Sequence, residues 1–218
     1  MQHDPTFVSR HIEPNGDGTF TVTFYREQGT GFVKEPIIVD GRIPEVEGLE
    51  GGNWVLDRGA EPGESGDRWA QIYQKAYAKK LGGGDLTKGF QELLNGGYTA
   101  DSLEHLTGFE ARRVGSGDLD FAMLNEMLEQ GPVTAASRGD VPSSGFAGFN
   151  KNSSGRYGAN GNDYDGFLHT DHAYSVERVD GDIVTVYNPW RSRTEPIKMP
   201  IEDFLEAFPY VNGVDLAT

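Results

Sequence analysis

The 218-residue sequence predicts a mixed α/β (α+β) fold, and three stretches of the chain indicate it. Two stretches, residues 17–40 and 171–190, alternate polar and apolar side chains with a period of two, which predicts two β-hairpins. Between them, residues 67–82 repeat apolar side chains at the spacing of one helical face. The length fits one large domain or two small packed lobes, and it is ample for a hydrophobic core.

The first hairpin follows a turn signal of Asn and Gly residues at positions 15–18. Residues 17–26 predict its first strand and residues 32–40 predict the second. Pro36 has no N–H for a strand ladder, so it indicates that the second strand lies at a sheet edge or contains a bulge. The Gly-, Pro- and Glu-rich residues 44–65 predict a loop.

A first amphipathic helix is predicted from Asp67, an available N-cap, to Gly82, a helix stop. Its apolar positions follow the i, i+3, i+4, i+7, i+8 pattern and are Trp69, Ile72, Tyr73, Ala76 and Tyr77. A second helix is predicted over residues 118–130, where Gly131 ends it.

The C-terminal half continues with a short buried strand, GPVTAAS, at residues 131–137. Residues 139–168 are rich in Gly, Ser, Asn and Asp and predict a long surface loop, a type of segment that often carries function. A brief helix is predicted over residues 200–208, with Pro200 at its first position, and a last strand near Tyr210-Val211.

Composition excludes several classes of function. The net charge of −15 argues against a nucleic-acid partner and against an anionic membrane surface, because both would repel the chain. The first ten residues lack the basic and apolar regions of a secretory signal, and no apolar run approaches the length of a membrane span. The chain contains no cysteine, which excludes disulfides, zinc–thiolate sites and a cysteine nucleophile within it.

The second hairpin, residues 171–190, allows two registers. A two-residue loop at Asp180-Gly181 would place His172 and Asn188 on opposite faces of the hairpin. A three-residue loop with Gly181 in the left-handed conformation would place them on one face. The second register matches side chains better across the strands, and we expect its pairs: Arg178–Asp182, Val176–Val184, Tyr174–Val186 and His172–Asn188.

The facing His172 and Asn188 suggest an oriented base. The side-chain oxygen of an asparagine accepts one ring N–H of a histidine, which fixes the tautomer and points the other ring nitrogen outward. Trp190 follows two residues later and could cover the pair. The competing interpretation is a cross-strand polar pair without chemistry.

The sequence HAYSV from His172 and the sequence NPW from Asn188 resemble the second catalytic lobe of calpain-type cysteine peptidases, within the papain-like superfamily. The resemblance implies that His172 is the general base and Asn188 its orienting partner. It also implies that Trp190 shields them.

Other segments agree with this family in collinear order over most of the chain. Residues 69–82 are similar to its W…EKAYAK helix, residues 106–108 to its D-x-T-G turn, and residues 17–44 to its early hairpin. The resemblance implies a papain-like two-lobed fold, in which residues 1–108 are the remainder of the cysteine lobe and residues 109–218 are the His/Asn lobe.

The chain departs from the family's pattern at the nucleophile. In the family, the cysteine and the oxyanion-hole glutamine lie on a Q-x-x-x-G-D-C-W segment upstream of everything in this sequence. Residues 3–12, HDPTFVSRHI, look like the stretch just after it. Arg191 also replaces the glycine of N-P-W-G, and the family's calcium-binding residues near the cysteine have no counterpart, so calcium dependence is not implied.

Metal and serine chemistry receive little support from the sequence. His169 and His172 are three residues apart, but in a loop entering a strand this spacing is a weak metal signal. The serines of the long loop do not precede a helix N-terminus in an elbow-like sequence, so none is predicted as a nucleophile. We therefore expect neither a metal nor another cofactor.

The sequence thus predicts the C-terminal portion of a calpain-like cysteine endopeptidase, inactive without a cysteine-bearing segment. The expected partners are a protein or peptide substrate and a complementary segment or chain that carries the cysteine. The alternative is a pseudo-peptidase, a binding or regulatory module that retains the fold without the chemistry.

Overall fold

The computed structural model describes residues 6–42, 68–138, 149–151, 156–159, 167–169, 171–188 and 196–217. Its helices and antiparallel sheets form an α+β structure. The chain divides into two compact units. The first consists of Met1–Tyr98 with His105–Gly108, and the second of Thr99–Glu104 with Phe109–Thr218. Among the described residues, no helix is both long and apolar enough to cross a membrane.

The first unit contains a three-stranded antiparallel sheet in the order β1-β2-β3. Its elements in chain order are α1 (Phe7–His11), β1 (Ile12–Pro14), β2 (Thr19–Gln28), β3 (Gly31–Asp40), α2 (Trp69–Leu81) and α3 (Leu86–Leu94). The predicted first hairpin is confirmed as β2 and β3, which pair over their full length around a two-residue turn. The predicted loop at residues 44–65 lies outside the described residues.

Strand β3 forms an edge of this sheet in the described part of the chain, which confirms the prediction from Pro36. Helix α2 runs beside the strand, and its lysines reach the carbonyl oxygens of the strand. Lys79 Nζ lies 2.8 Å from the Ile38 oxygen, and Lys75 Nζ lies 3.2 Å from the Asp40 oxygen.

The predicted amphipathic helix is confirmed as α2, with Gly82 as its C-cap. Its apolar face packs on the sheet, and the buried core of the unit comprises Val22, Phe24, Val39, Tyr73 and Ala76. Asp67 lies outside the described residues, and Arg68 occupies the N-cap position without a side-chain cap hydrogen bond.

Helix α3 was not predicted, because its short sequence contains Gly89 and lies between glycine-rich turns. Gly89 is required by close packing against α2. A Cβ at this position would lie 1.7 Å from the main-chain oxygen of Ala78. Helix α4 (Thr99–Thr107) was also not predicted, and its residues are divided between the two units.

The second unit is built on a six-stranded antiparallel sheet in the order β11-β10-β9-β5-β12-β4. A further three-stranded sheet has the order β6-β7-β8. The elements are β4 (Ala111–Gly115), α5 (Phe121–Gln130), β5 (Val133–Ala136), β6 (Phe149–Lys151), β7 (Arg156–Ala159), β8 (Phe167–His169), β9 (Ala173–Asp180), β10 (Ile183–Tyr187), β11 (Ile197–Pro200), α6 (Ile201–Ala207) and β12 (Tyr210–Val214).

Most of the elements predicted here are confirmed, with three differences. Pro200 is the N-cap of α6 rather than its first residue. The second helix begins at Phe121 rather than at residue 118, because Asp120 caps it by accepting a hydrogen bond from the Met123 N–H at 2.8 Å. The prediction that residues 139–168 form a continuous loop is wrong, since three short strands pair within and just beyond this range. Strands β4 and β11 were not predicted.

The core of the second unit lies between one face of the six-stranded sheet and helices α5 and α6. Its largest fully buried side chains are Tyr174, Phe204, Phe208, Leu124, Leu168, Met199 and Val133. This packing fixes the face on which the described residues of the six-stranded sheet lie.

The buried lysine of the first unit holds the end of β3. Lys75 Nζ donates to Asp40 Oδ1 at 2.6 Å and to the main-chain oxygen of Arg42 at 2.8 Å, and its side chain is 7% exposed. Hydrogen bonds from Arg42 and Lys75 hold the pKa of the Asp40 carboxyl well below its usual range. Lys75 therefore satisfies several acceptors at once where the chain leaves the sheet.

We expect the Lys75→Met substitution to lower the free energy of unfolding by about 1–3 kcal/mol, because it removes the hydrogen bonds that the buried ammonium group donates. Urea denaturation measures the change. Lys88→Met, at an exposed position on α3, is the control and should stay within about 0.5 kcal/mol of wild type. Equal stability of the two variants would contradict the role given to Lys75.

We expect His11 to make the stability of the first unit depend on pH. Its ring is buried, stacks on Phe7 with centroids 4.1 Å apart and hydrogen-bonds through Nδ1 to the Phe7 oxygen at 2.8 Å. Burial lowers the pKa of His11 below its ordinary value of 6.5, against the opposing effect of the Phe7 hydrogen bond.

The unfolded chain therefore gains a proton at His11 at a higher pH than the folded chain does. The free energy of unfolding should fall as pH drops from about 7 to about 5.5, and it should fall less in a His11→Phe variant, which keeps the stacking but cannot titrate. Urea denaturation across this range measures both slopes. Parallel slopes would show that His11 does not contribute.

Candidate functional site

Three neighbouring strands bring their ends together at one end of the six-stranded sheet. Strand β9 lies between β5 and β10 and is antiparallel to both, so its start lies beside their last residues. Ser137 follows β5, His172 precedes β9, and Asn188 follows β10. The site is therefore assembled from residues 137, 172 and 188, which are distant in sequence.

The register of the β9–β10 hairpin differs from the predicted one. The turn has two residues, Gly181 and Asp182, and Gly181 has a φ of +61°. The expected three-residue loop, with Val176 opposite Val184 and Tyr174 opposite Val186, is wrong. The observed pairs from the turn outward are Asp180–Ile183, Val179–Val184, Arg178–Thr185, Val176–Val186 and Ser175–Tyr187.

A β-bulge at Glu177 explains why His172 and Asn188 still meet. If the pairing register observed near the turn continued along the whole hairpin, it would place Asn188 opposite Ser175, on the face away from His172. Glu177 is an additional residue in β9, and beyond it the register shifts by one. Continued one residue beyond the last pair, this register brings Asn188 opposite Tyr174 and diagonal to His172, and the burial of all three side chains places them on the core face.

The histidine and asparagine form a direct, buried hydrogen bond. His172 Nε2 lies 2.9 Å from Asn188 Oδ1, and the residues are only 8% and 7% exposed. Since an amide oxygen only accepts, Nε2 carries the proton, and in the neutral ring Nδ1 carries the lone pair. The Tyr174 ring supports the imidazole edge-on, with the ring centroids 5.0 Å apart.

The main chain of His172 is held from β5. Ser137 N–H donates to the His172 carbonyl at 2.9 Å, and the Ser137 hydroxyl lies 3.1 Å from both the N–H and the carbonyl of His172. Asp171, just before, has a φ of +50°, in the left-handed region that few non-glycine residues adopt. Ser137 is not among the predicted site residues, and its position at the end of the predicted strand 131–137 is the only signal for it in the sequence.

The remaining predicted site residues have different outcomes. Trp190 and Arg191 lie outside the described residues. His169 ends β8. Among the described residues, no three His, Asp or Glu side chains are grouped so that they could hold a metal ion.

Comparisons with models of known protein families and with curated proteins found no match. The interpretation of the site therefore rests on its geometry and on the motifs that carry it.

Single-residue deletions in β9 test the role of the bulge. Deleting Glu177 should leave the pairs Val176–Val186 and Ser175–Tyr187 unchanged and preserve the His172–Asn188 hydrogen bond, because it only removes the additional residue. Deleting the exposed Ser175 should break the bond, since it turns the preceding side chains to the other face. Long-range ¹H–¹⁵N spectra of the histidine rings report the bond in each variant.

The two deletions remove one residue each from the same strand, so either serves as the control for the other. Loss of the His172 ring signature in both variants, or its retention in both, would contradict the bulge argument. His172→Gln identifies the signals of this ring.

Proposed function

We propose that this chain supplies the histidine and asparagine of a Cys-His-Asn catalytic site, as the C-terminal portion of a calpain-like cysteine endopeptidase. The observation that carries the proposal is the buried hydrogen bond of 2.9 Å between His172 Nε2 and Asn188 Oδ1. The H-A-Y and N-P-W motifs that contain these residues support the same assignment.

The protonation state of the ring suits this chemistry. With Nε2 donating to Asn188, the Nδ1 lone pair can accept the proton of a thiol and form a thiolate–imidazolium pair. The thiolate then attacks the substrate carbonyl, and the peptide C–N bond breaks as the imidazolium gives its proton to the leaving amine. Water, deprotonated by the imidazole, then hydrolyses the thioester and regenerates the thiol. Asn188 keeps the ring in the required tautomer and orientation throughout.

The nucleophile must come from outside the 218 residues, because they contain no cysteine. In this proposal, residues 1–108 and 109–218 are the remainder of the cysteine lobe and the His/Asn lobe of a papain-like fold. Trp190, which follows Asn188 by two residues, is assigned as the cover of the pair. The substrate is a protein or peptide, and the chain alone is inactive.

The lack of a cysteine also favours a second candidate function. A pseudo-peptidase would keep the lobe and bind a protein segment without cleaving it. The two candidates differ in whether a supplied cysteine restores hydrolysis.

The test fuses a Q-x-x-x-G-D-C-W-containing segment of the family upstream of the full chain and measures hydrolysis of unfolded casein. We expect hydrolysis that disappears when the fused cysteine is replaced by alanine. His172→Ala should lower kcat by about 10²–10⁴-fold, the usual contribution of a general base, and Asn188→Ala should lower it less.

Matched controls are His105→Gln in the first unit and the exposed Asn95→Ala, which should leave kcat unchanged. Casein binding without hydrolysis in the fused protein would overturn the peptidase proposal and support the pseudo-peptidase. A natural reading frame that continues upstream into a cysteine-bearing segment of this type would exclude the pseudo-peptidase.

A further inference from the structure

Ser137 contacts His172 in a way that depends on its hydroxyl group. The regular pairing of β5 with β9 ends at Ala136 and Ala173, one residue before Ser137 and His172. Beyond this point the Ser137 N–H still donates to the His172 carbonyl at 2.9 Å. The N–H of His172, however, donates to the Ser137 side-chain oxygen at 3.1 Å.

The same hydroxyl lies 3.1 Å from the carbonyl oxygen of His172, to which it donates. One side chain therefore accepts from the N–H and donates to the C=O of a single residue. A hydroxyl can do both, because it has one donor and two lone pairs, whereas alanine can do neither. Ser137 is buried, so solvent has little access to replace these bonds.

The main chain needs such support at this place. Asp171 enters in the left-handed region, with a φ of +50°, and the strand begins only at Ala173. His172 thus lies between Asp171, which has an uncommon backbone conformation, and Ala173, where the hydrogen-bonded pairing of β9 begins. Its ring must still meet Asn188 Oδ1 at 2.9 Å, a bond that a displacement of about 1 Å would break.

We propose that Ser137 is a positioning residue that fixes the backbone of His172 and thereby holds the imidazole in register with Asn188. Its importance for catalysis rests on the proposed function. Its effect on the ring does not, because the ring can be observed in the chain as it stands. The hydroxyl acts through the main chain of His172.

The experiment compares Ser137→Ala, Ser137→Thr and wild type in the full chain by long-range ¹H–¹⁵N spectra of the histidine rings. In wild type we expect a protected Hε2 signal of His172 and ¹⁵N shifts of the Nε2–H tautomer. Ser137→Ala should lose the signal and mix the tautomers, and Ser137→Thr, which keeps the hydroxyl, should retain both features. Ser175→Ala, at an exposed serine on β9, is the matched control and should resemble wild type.

An unchanged His172 signature in Ser137→Ala would overturn the proposal, as would a loss in Ser137→Thr equal to that in Ser137→Ala. If Ser137→Ala does not fold, Ser137→Cys takes its place, since its thiol fills the space of the hydroxyl but hydrogen-bonds weakly. In that variant the loss of the Hε2 signal supports the proposal and its retention overturns it.

A second arm uses the active fusion described above. Ser137→Ala should lower kcat by about tenfold to a hundredfold with little change in KM, since a displaced base impairs the chemical step. Should the fusion be inactive in every variant while the ring signature still depends on Ser137, the positioning role stands and the proposed function fails. Hydrolysis by the fusion with an unchanged kcat in Ser137→Ala would overturn the positioning role alone.

Discussion

Antiparallel pairing of β5, β9 and β10 is the constraint on which the candidate site depends. Each strand places one adjoining residue at the same end of the sheet, although 51 positions of sequence separate Ser137 from Asn188. Hydrogen bonds along the ladders set the spacing between the strands. The hydrophobic core that contains Tyr174 and Val186 then determines which face of these strands is buried.

The bulge at Glu177 reconciles the turn of the hairpin with the burial of the apolar residues in this sequence. A two-residue turn with a glycine at positive φ is among the favoured connections between twisted strands. Starting from that turn, however, the apolar residues of β9 and β10 lie on the core face along the whole hairpin only if the pairing register shifts by one residue. The additional residue allows both, and the shared facing of His172 and Asn188 follows from it.

The sequence predicts the regular parts of the molecule well, because there local pattern and tertiary environment agree. Helix α2 and the β2–β3 hairpin repeat their apolar side chains at the periods of a helix and a strand. Helix α3 was missed because Gly89 weakens its helical pattern, and the reason for that glycine is contact with another helix. A close approach of two helix backbones produces no repeating pattern of apolar residues, so a single sequence does not indicate it.

The site shows the same division. The histidine and asparagine could be predicted from their motifs, but the hairpin register could not. A register predicted by matching side chains across two strands assumes that the pairing is uninterrupted. A bulge interrupts the pairing, and the type of residue at the bulge does not reveal it. Ser137 was missed for another reason, since its partner is the main chain of a residue that lies 35 positions away.

The lysines that lie along β3 have a consequence for how the protein behaves in a crowded solution. An edge strand normally offers unpaired main-chain groups to any passing extended segment, and Ile38, which is 53% exposed, would add an apolar contact. Here Pro36 has no N–H to offer, and the ammonium groups of Lys79 and Lys75 already occupy the carbonyls of Ile38 and Asp40. Within the described part of the chain, this edge is thus poorly suited as a template for intermolecular β-sheet growth.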